Sequence, residues 1–171
     1  MTFKKEYHDF GEGKVSYIEW NDDLSLPGFQ FCHATGFNAL TYKKLLEPLA
    51  NSFHIRAEDA RGHGFTKTNA VPDTFYDWKV YRDDLILSVE NFVKIKGQPI
   101  ILGGHSMGGA SVMQVAAERP DLVAGVVLVE PVLISKMNLN ILKIANKFPI
   151  TKSIPVIKEM TSRSDSTLKR R

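Results

Sequence analysis

The chain has very little cysteine: Cys32 is the only one in 171 residues. A lone cysteine excludes an internal disulfide and suits a reducing compartment. No apolar run is long enough to cross a bilayer. The opening Met1-Thr2-Phe3-Lys4-Lys5-Glu6 lacks the apolar centre of a secretory signal. Internal repeats and low-complexity linkers are absent. Five histidines (His8, His33, His54, His63 and His105) and Cys32 show no ligand spacing, so neither a metal nor a cofactor is implied. These absences point to a cytoplasmic protein with no stable membrane insertion.

Enough is present for one folded domain. Apolar residues make up 43% of the chain, which allows a sizeable core. The net charge of +3 is unevenly spread. Residues 1–135 carry 13 Lys and Arg against 17 Asp and Glu, whereas residues 136–171 carry 9 against 2. A basic tail with no interleaved aromatics and no nucleic-acid motif reads as a solvated face, so nucleic acid is not an expected partner.

The patterning predicts six strands alternating with helices. Residues 3–10 and 14–20 alternate around Gly11-Glu12-Gly13 and read as a hairpin. Residues 29–32, 53–57 and 98–102 read as short strands, and 122–129 as a buried apolar strand. Helical spacing at Tyr42, Leu45, Leu46 and Leu49 predicts a helix over 41–50. A longer amphipathic helix is expected from Asp73 to Gly97. Its stripe is Trp78, Tyr81, Leu85, Val89 and Phe92, with Asp83, Asp84 and Glu90 away from it. Alternating strands and helices predict an α/β fold with a mostly parallel sheet flanked by helices. Residues 1–134 read as its core. Residues 135–171 read as a partial helical lid and a frayed basic tail.

Gly103-Gly104-His105-Ser106-Met107-Gly108-Gly109 lies between a strand and a helix. A serine at so tight a turn is forced toward positive φ, which lifts its hydroxyl clear of the surface. A side chain two positions before or after it would strike backbone, so Gly104 and Gly108 are required to be glycine. Gly109 lets the new helix pack close to the sheet. That helix turns its free N–H groups toward the place where an oxyanion would form.

Taken with His33-Ala34-Thr35-Gly36-Phe37 and Asp59-Ala60-Arg61-Gly62-His63-Gly64, this stretch resembles the α/β-hydrolase family of serine type. The three motifs occur in the family's order, each after a strand. The resemblance runs from Phe3 to about Ile134 and implies a role for each matching residue. Ser106 would be the nucleophile of an acyl-transfer reaction on an ester, thioester or related bond. The backbone N–H groups of Met107 and Phe37 would form the oxyanion hole. His33, His105 and Glu130 would line the pocket. An aspartate in place of Ser106 would mark the epoxide-hydrolase and dehalogenase relatives, so those chemistries are not implied.

One element of the family pattern is missing. The chain order there is Ser, then Asp or Glu, then His, and no histidine follows Ser106 in this sequence. A serine without a base is a poor nucleophile at neutral pH. The resemblance therefore implies that the sequence stops before the acid and the histidine, leaving residues 122–129 as an uncovered apolar sheet edge open to self-association. The alternative is a shortened pseudo-hydrolase or ligand-binding module that does no catalysis. Completion of the site by a partner chain is a third possibility.

Overall fold

The computed structural model describes residues 2–11, 13–68 and 78–133. The six expected strands are present, and a seventh of two residues joins them. The strands are β1 (Lys4–Asp9), β2 (Gly13–Trp20), β3 (Gly28–Cys32), β4 (His54–Glu58), β5 (Lys67–Thr68), β6 (Ile100–His105) and β7 (Val123–Val129). They form one sheet in the order β1-β2-β4-β3-β6-β7, with β5 paired to β2. β1, β2 and β5 run antiparallel to their neighbours. The β4-β3-β6-β7 block is parallel, because each crossover between its strands carries helix or 3-10 turns.

β3 sits in the middle and is buried along its whole length. Its side chains alternate between two apolar layers, as the period of a strand requires. Phe29 and Phe31 join Ile18, Trp20, Tyr42, Leu46, Ala50 and Ile55 on one face. Cys32 joins Leu85, Val89, Phe92, Leu102, Val112 and Val115 on the other.

The first layer is covered by a mixed segment. A 3-10 turn over Ala39–Tyr42, a single α-turn α1 (Lys43–Leu46) and a second 3-10 turn over Glu47–Asn51 replace the regular helix expected at 41–50. Asn38 caps it by accepting the Thr41 N–H at 3.1 Å. The tighter winding changes which residues face inward. Tyr42, Leu46 and Ala50 are buried, whereas Leu45 and Leu49 are exposed, contrary to the expected stripe.

The second layer is α2 (Lys79–Lys96) and α3 (Met107–Glu118). Tyr81, Leu85, Val89 and Phe92 of α2 are buried as their spacing predicts. Gly97 ends the helix in the left-handed region at φ 69° and donates its N–H to the Val93 carbonyl. Asp84 departs from expectation. It is buried, and it takes two hydrogen bonds from the Arg61 guanidinium, at 2.8 and 2.7 Å. That pair ties α2 to the loop after β4. The start of this helix expected at 73–77 and the lid expected at 135–171 lie outside the described residues.

β7 separates two readings of its apolar run. The run alone reads as a buried strand, whereas the family pattern leaves it as an uncovered sheet edge. Among the described residues β7 is the last strand in the order, and Val126 to Val129 are 39–49% exposed. An edge strand has a neighbour on one side only, so its side chains lose cover as well as pairing. No helix among the described residues is long and apolar enough to cross a membrane.

Candidate active site

β6 delivers Ser106 to the carboxyl end of the parallel strands, and α3 starts at the next residue. Ser106 has φ 52° and ψ −111°, a conformation that an L-residue holds only when its surroundings force it. The forcing groups are identifiable. The Ser106 N–H donates to the Val129 carbonyl at 3.1 Å. The Ser106 carbonyl accepts from Ala110 N–H and from Val132 N–H, both at 3.1 Å. β7 and the chain after it thus clamp the turn from one side while α3 holds it from the other.

The flanking glycines are required by contact. A Cβ on Gly104 would lie 2.5 Å from the Gly108 carbonyl group, and one on Gly108 would lie 2.3 Å from the Cys32 carbonyl oxygen. These neighbours are backbone atoms, of α3 in the first case and of β3 in the second, and cannot rotate away. Gly108→Ala is therefore expected to cost about 3 kcal/mol or more. Gly11→Ala is the control, because no atom lies within 4 Å of that Cβ position. It should lose only about 1–2 kcal/mol for its positive φ. Urea unfolding midpoints of the two variants check the difference, and equal losses would contradict the packing explanation.

The loop after β3 carries His33. Its Nδ1–H donates to the Ala34 carbonyl at 2.7 Å, and its Nε2 accepts the Ala60 N–H at 2.9 Å. A carbonyl can only accept and an amide can only donate, so these partners assign the tautomer. Burial, then the neighbouring His63, push the His33 imidazole down to about 4. With both nitrogens committed, His33 is a neutral brace between two loops. It also lines a small cavity of about 10 Å³, room for about one water, with Cys32, Glu58, Tyr81, Met107 and Ser111 among its walls.

The partner loop after β4 is organised by Asp59. One carboxylate oxygen accepts from Ala39 N–H and the other from Phe65 N–H, each at 2.8 Å. His63 donates its Nδ1–H to the Arg61 carbonyl at 2.9 Å. The Asp59 motif thus acts as scaffold for the loop that His33 braces. Its pattern is visible in the sequence, but its role in joining two loops is not.

His105 and Glu130 do not line that cavity. His105 is half-buried, with Nδ1 2.7 Å from the Tyr42 hydroxyl. Glu130 is exposed at φ 41°, in the turn between the Val129 carbonyl and the Val132 N–H that both hold Ser106. Phe37 is also placed differently from expectation. Its N–H donates to the Ala34 carbonyl at 3.1 Å, closing a tight turn, so in this conformation that amide is occupied. Thr35 N–H, two residues earlier and on an exposed residue, donates to no described residue. Met107 N–H belongs to the first turn of α3, where helix geometry provides no intrahelical acceptor.

Known proteins resemble this chain in sequence and fold. The model of the family described as "Serine aminopeptidase, S33" matches residues 29–169. Human monoglyceride lipase is 33% identical over 105 residues, which is 60% of this chain and 34% of that protein. The 2-(acetamidomethylene)succinate hydrolase of Mesorhizobium japonicum is 32% identical over 104 residues, 61% of this chain and 35% of its own. The chain thus spans about a third of the length of these curated relatives. Among solved structures, an E-2-(acetamidomethylene)succinate hydrolase superposes with a TM-score of 0.62 at 29% identity, covering 73% of this chain and 43% of that one. The thioesterase domain from the curacin biosynthetic pathway reaches a TM-score of 0.70 at 18% identity, over 100% of this chain and 56% of its own, a likeness of fold. By its motifs, its sheet and these matches, the chain belongs to the serine aminopeptidase (S33) family of α/β hydrolases.

Proposed function

We propose that the protein is a serine hydrolase of ester, thioester or related acyl bonds, with Ser106 as nucleophile. The observation that carries this reading is the backbone of Ser106, held at φ 52° on the end of β6 by contacts that only glycine neighbours permit. The names of the relatives support the bond class, since they include a lipase, a methylesterase and a thioesterase domain.

In this reaction Ser106 Oγ attacks the carbonyl carbon and its proton passes to a base. The carbonyl π electrons move onto oxygen. The oxyanion is met by Met107 N–H and, in place of Phe37, by Thr35 N–H. Donors fixed before the reaction stabilise that charge without reorganisation, and one of them is worth about 3 kcal/mol. Collapse of the intermediate breaks the bond to the alcohol or thiol, which leaves with a proton. Water then repeats the sequence on the acyl-serine.

The base is the open requirement. His33 has both nitrogens engaged, and His105 and His63 each have one committed. No histidine follows Ser106 within residues 1–171. No hydrogen bond joins Ser106 to a histidine among the described residues, so the reading needs a base that is brought to the serine. The same observation favours the second reading, a ligand-binding relative without turnover.

Acid-quenched mixtures of the protein, expressed from its intact reading frame, with p-nitrophenyl butyrate distinguish the two. The hydrolase reading expects a butyryl mass increment on the peptide containing Ser106, accompanied by release of p-nitrophenol. Ligand retention with no covalent adduct would favour the second reading.

A further inference from the structure

We infer that Tyr42 is a positioning residue of this site: its hydroxyl ties the loop after β3 to the residue before the nucleophile. The inference rests on the serine-hydrolase reading above. The parallel ladder between β3 and β6 ends at Cys32 opposite Gly104. Beyond that pair the His33–Phe37 loop leaves the sheet, so ladder bonds no longer set its distance from Ser106. Two side chains take over. His33 fixes the loop toward Ala60, away from β6. Tyr42 fixes it toward β6.

The Tyr42 oxygen lies 3.1 Å from the Ala34 N–H, which donates to it, and 2.7 Å from His105 Nδ1. The arrangement that satisfies all three groups has the hydroxyl accepting from Ala34 and donating its own proton to His105 Nδ1. Residue Ala34 is then held at both ends, its N–H by Tyr42 and its carbonyl by His33 and Phe37 N–H. The Thr35 N–H shares a rigid peptide plane with that carbonyl, so fixing Ala34 fixes where the Thr35 N–H points. The strut itself is stiff. Tyr42 is 9% exposed, and its ring packs against Phe31 at 4.8 Å and edge-on to His105 at 5.9 Å. Its backbone is set by the Asn38-capped turn.

A tyrosine serving only as core filling would be replaceable by phenylalanine, since the ring does the packing. The strut predicts otherwise. Tyr42→Phe keeps the ring and removes the one atom that touches both Ala34 and His105. The expected result is at least a tenfold fall in kcat for p-nitrophenyl butyrate and in the rate at which a fluorophosphonate labels Ser106, with KM within twofold of wild type. An oxyanion donor acts on the transition state more than on the bound ester, so the loss belongs in kcat.

His105→Ala removes the other end of the strut and keeps Tyr42. It should lower kcat in the same direction, and the double variant should be no slower than the slower single variant. Two readouts do not depend on turnover. Amide exchange at Ala34 should speed up at least tenfold in Tyr42→Phe, and the His105 Nδ1 nitrogen shift should move. Wild-type labelling rate in Tyr42→Phe, or unchanged Ala34 exchange, would overturn the strut. If the wild-type protein takes no label while Ala34 exchange responds as expected, the strut stands and the hydrolase reading fails.

Discussion

Replacing Glu58 by glutamine should stabilise the protein strongly at pH 8 and above, and hardly at all at pH 4.5. The reason lies in the face that β4 turns toward α2. His54, Arg56 and Glu58 alternate along that face, and all three are buried. The first two share Glu19: His54 Nε2 and Arg56 Nε each lie 2.8 Å from its carboxylate. Arg56 also donates to Asn91 at 3.1 Å. Among the described residues no cation pairs with Glu58. Gln30 Nε2 donates to its carboxyl at 2.8 Å, Ser88 adds a hydrogen bond, and the charges of Asp84 and Asp59 act on it.

Burial, reinforced by those two carboxylates, raises Glu58 from 4.5 to about 8. The folded protein therefore keeps a proton that the unfolded chain releases near pH 4.5. With the folded value above the unfolded one, stability falls as pH rises between the two and levels off above about 8. Over that interval the loss is about 5 kcal/mol at about 1.4 kcal/mol per pH unit. Glutamine has the same shape and no charge to bury, so Glu58→Gln removes the slope. Denaturant unfolding at pH 5 and at pH 8.5 measures it. The wild type should lose several kcal/mol between the two conditions relative to the variant. Parallel pH profiles would show that Glu58 is solvated or ion-paired in the folded protein.

The second large effect concerns activity. Ser106→Ala should reduce ester hydrolysis by the protein from its intact reading frame by about 10⁴-fold or more, in line with nucleophile removal elsewhere. Its thermal stability should stay within about 0.5 kcal/mol of wild type. Alanine carries the same Cβ and suffers the same strain at φ 52°, so nothing in the turn relaxes. Glycine would separate strain from chemistry. Ser106→Gly should abolish activity equally while raising stability by about 1–2 kcal/mol, because glycine holds positive φ without a steric penalty. A residual rate in either variant that follows the wild-type pH profile would mean that another group attacks the ester.

The sequence made parts of this arrangement readable for physical reasons. The elbow is legible because backbone collisions leave Gly104 and Gly108 no alternative, and the collision distances bear that out. The stripe of α2 is legible because burial of Tyr81, Leu85, Val89 and Phe92 follows from helical period alone. Periodicity is silent about partners. Asp84 lies off that stripe and reads as solvated, yet Arg61, 23 positions away, makes its burial possible. Leu45 and Leu49 fit a regular helix, but the segment winds as 3-10 turns on either side of α1, and both point outward. The apolar run of β7 signals a strand without saying which strands flank it. Tyr42 reads as one more core residue of a short helix. Its hydroxyl bonds to Ala34 and His105 depend on two loops meeting. The family motif points to Phe37 N–H as a donor, whereas the turn that occupies it belongs to this loop's own geometry.

The most direct test of the central claim is the covalent one. The protein from its intact reading frame is treated with a fluorophosphonate probe, digested, and mapped by mass spectrometry. The account predicts one adduct per chain, on Ser106, absent from Ser106→Ala and formed at least tenfold more slowly by Tyr42→Phe. A protein that takes no label, or takes it on a residue other than Ser106, would contradict Ser106 as the nucleophile and leave the strained turn without a catalytic purpose.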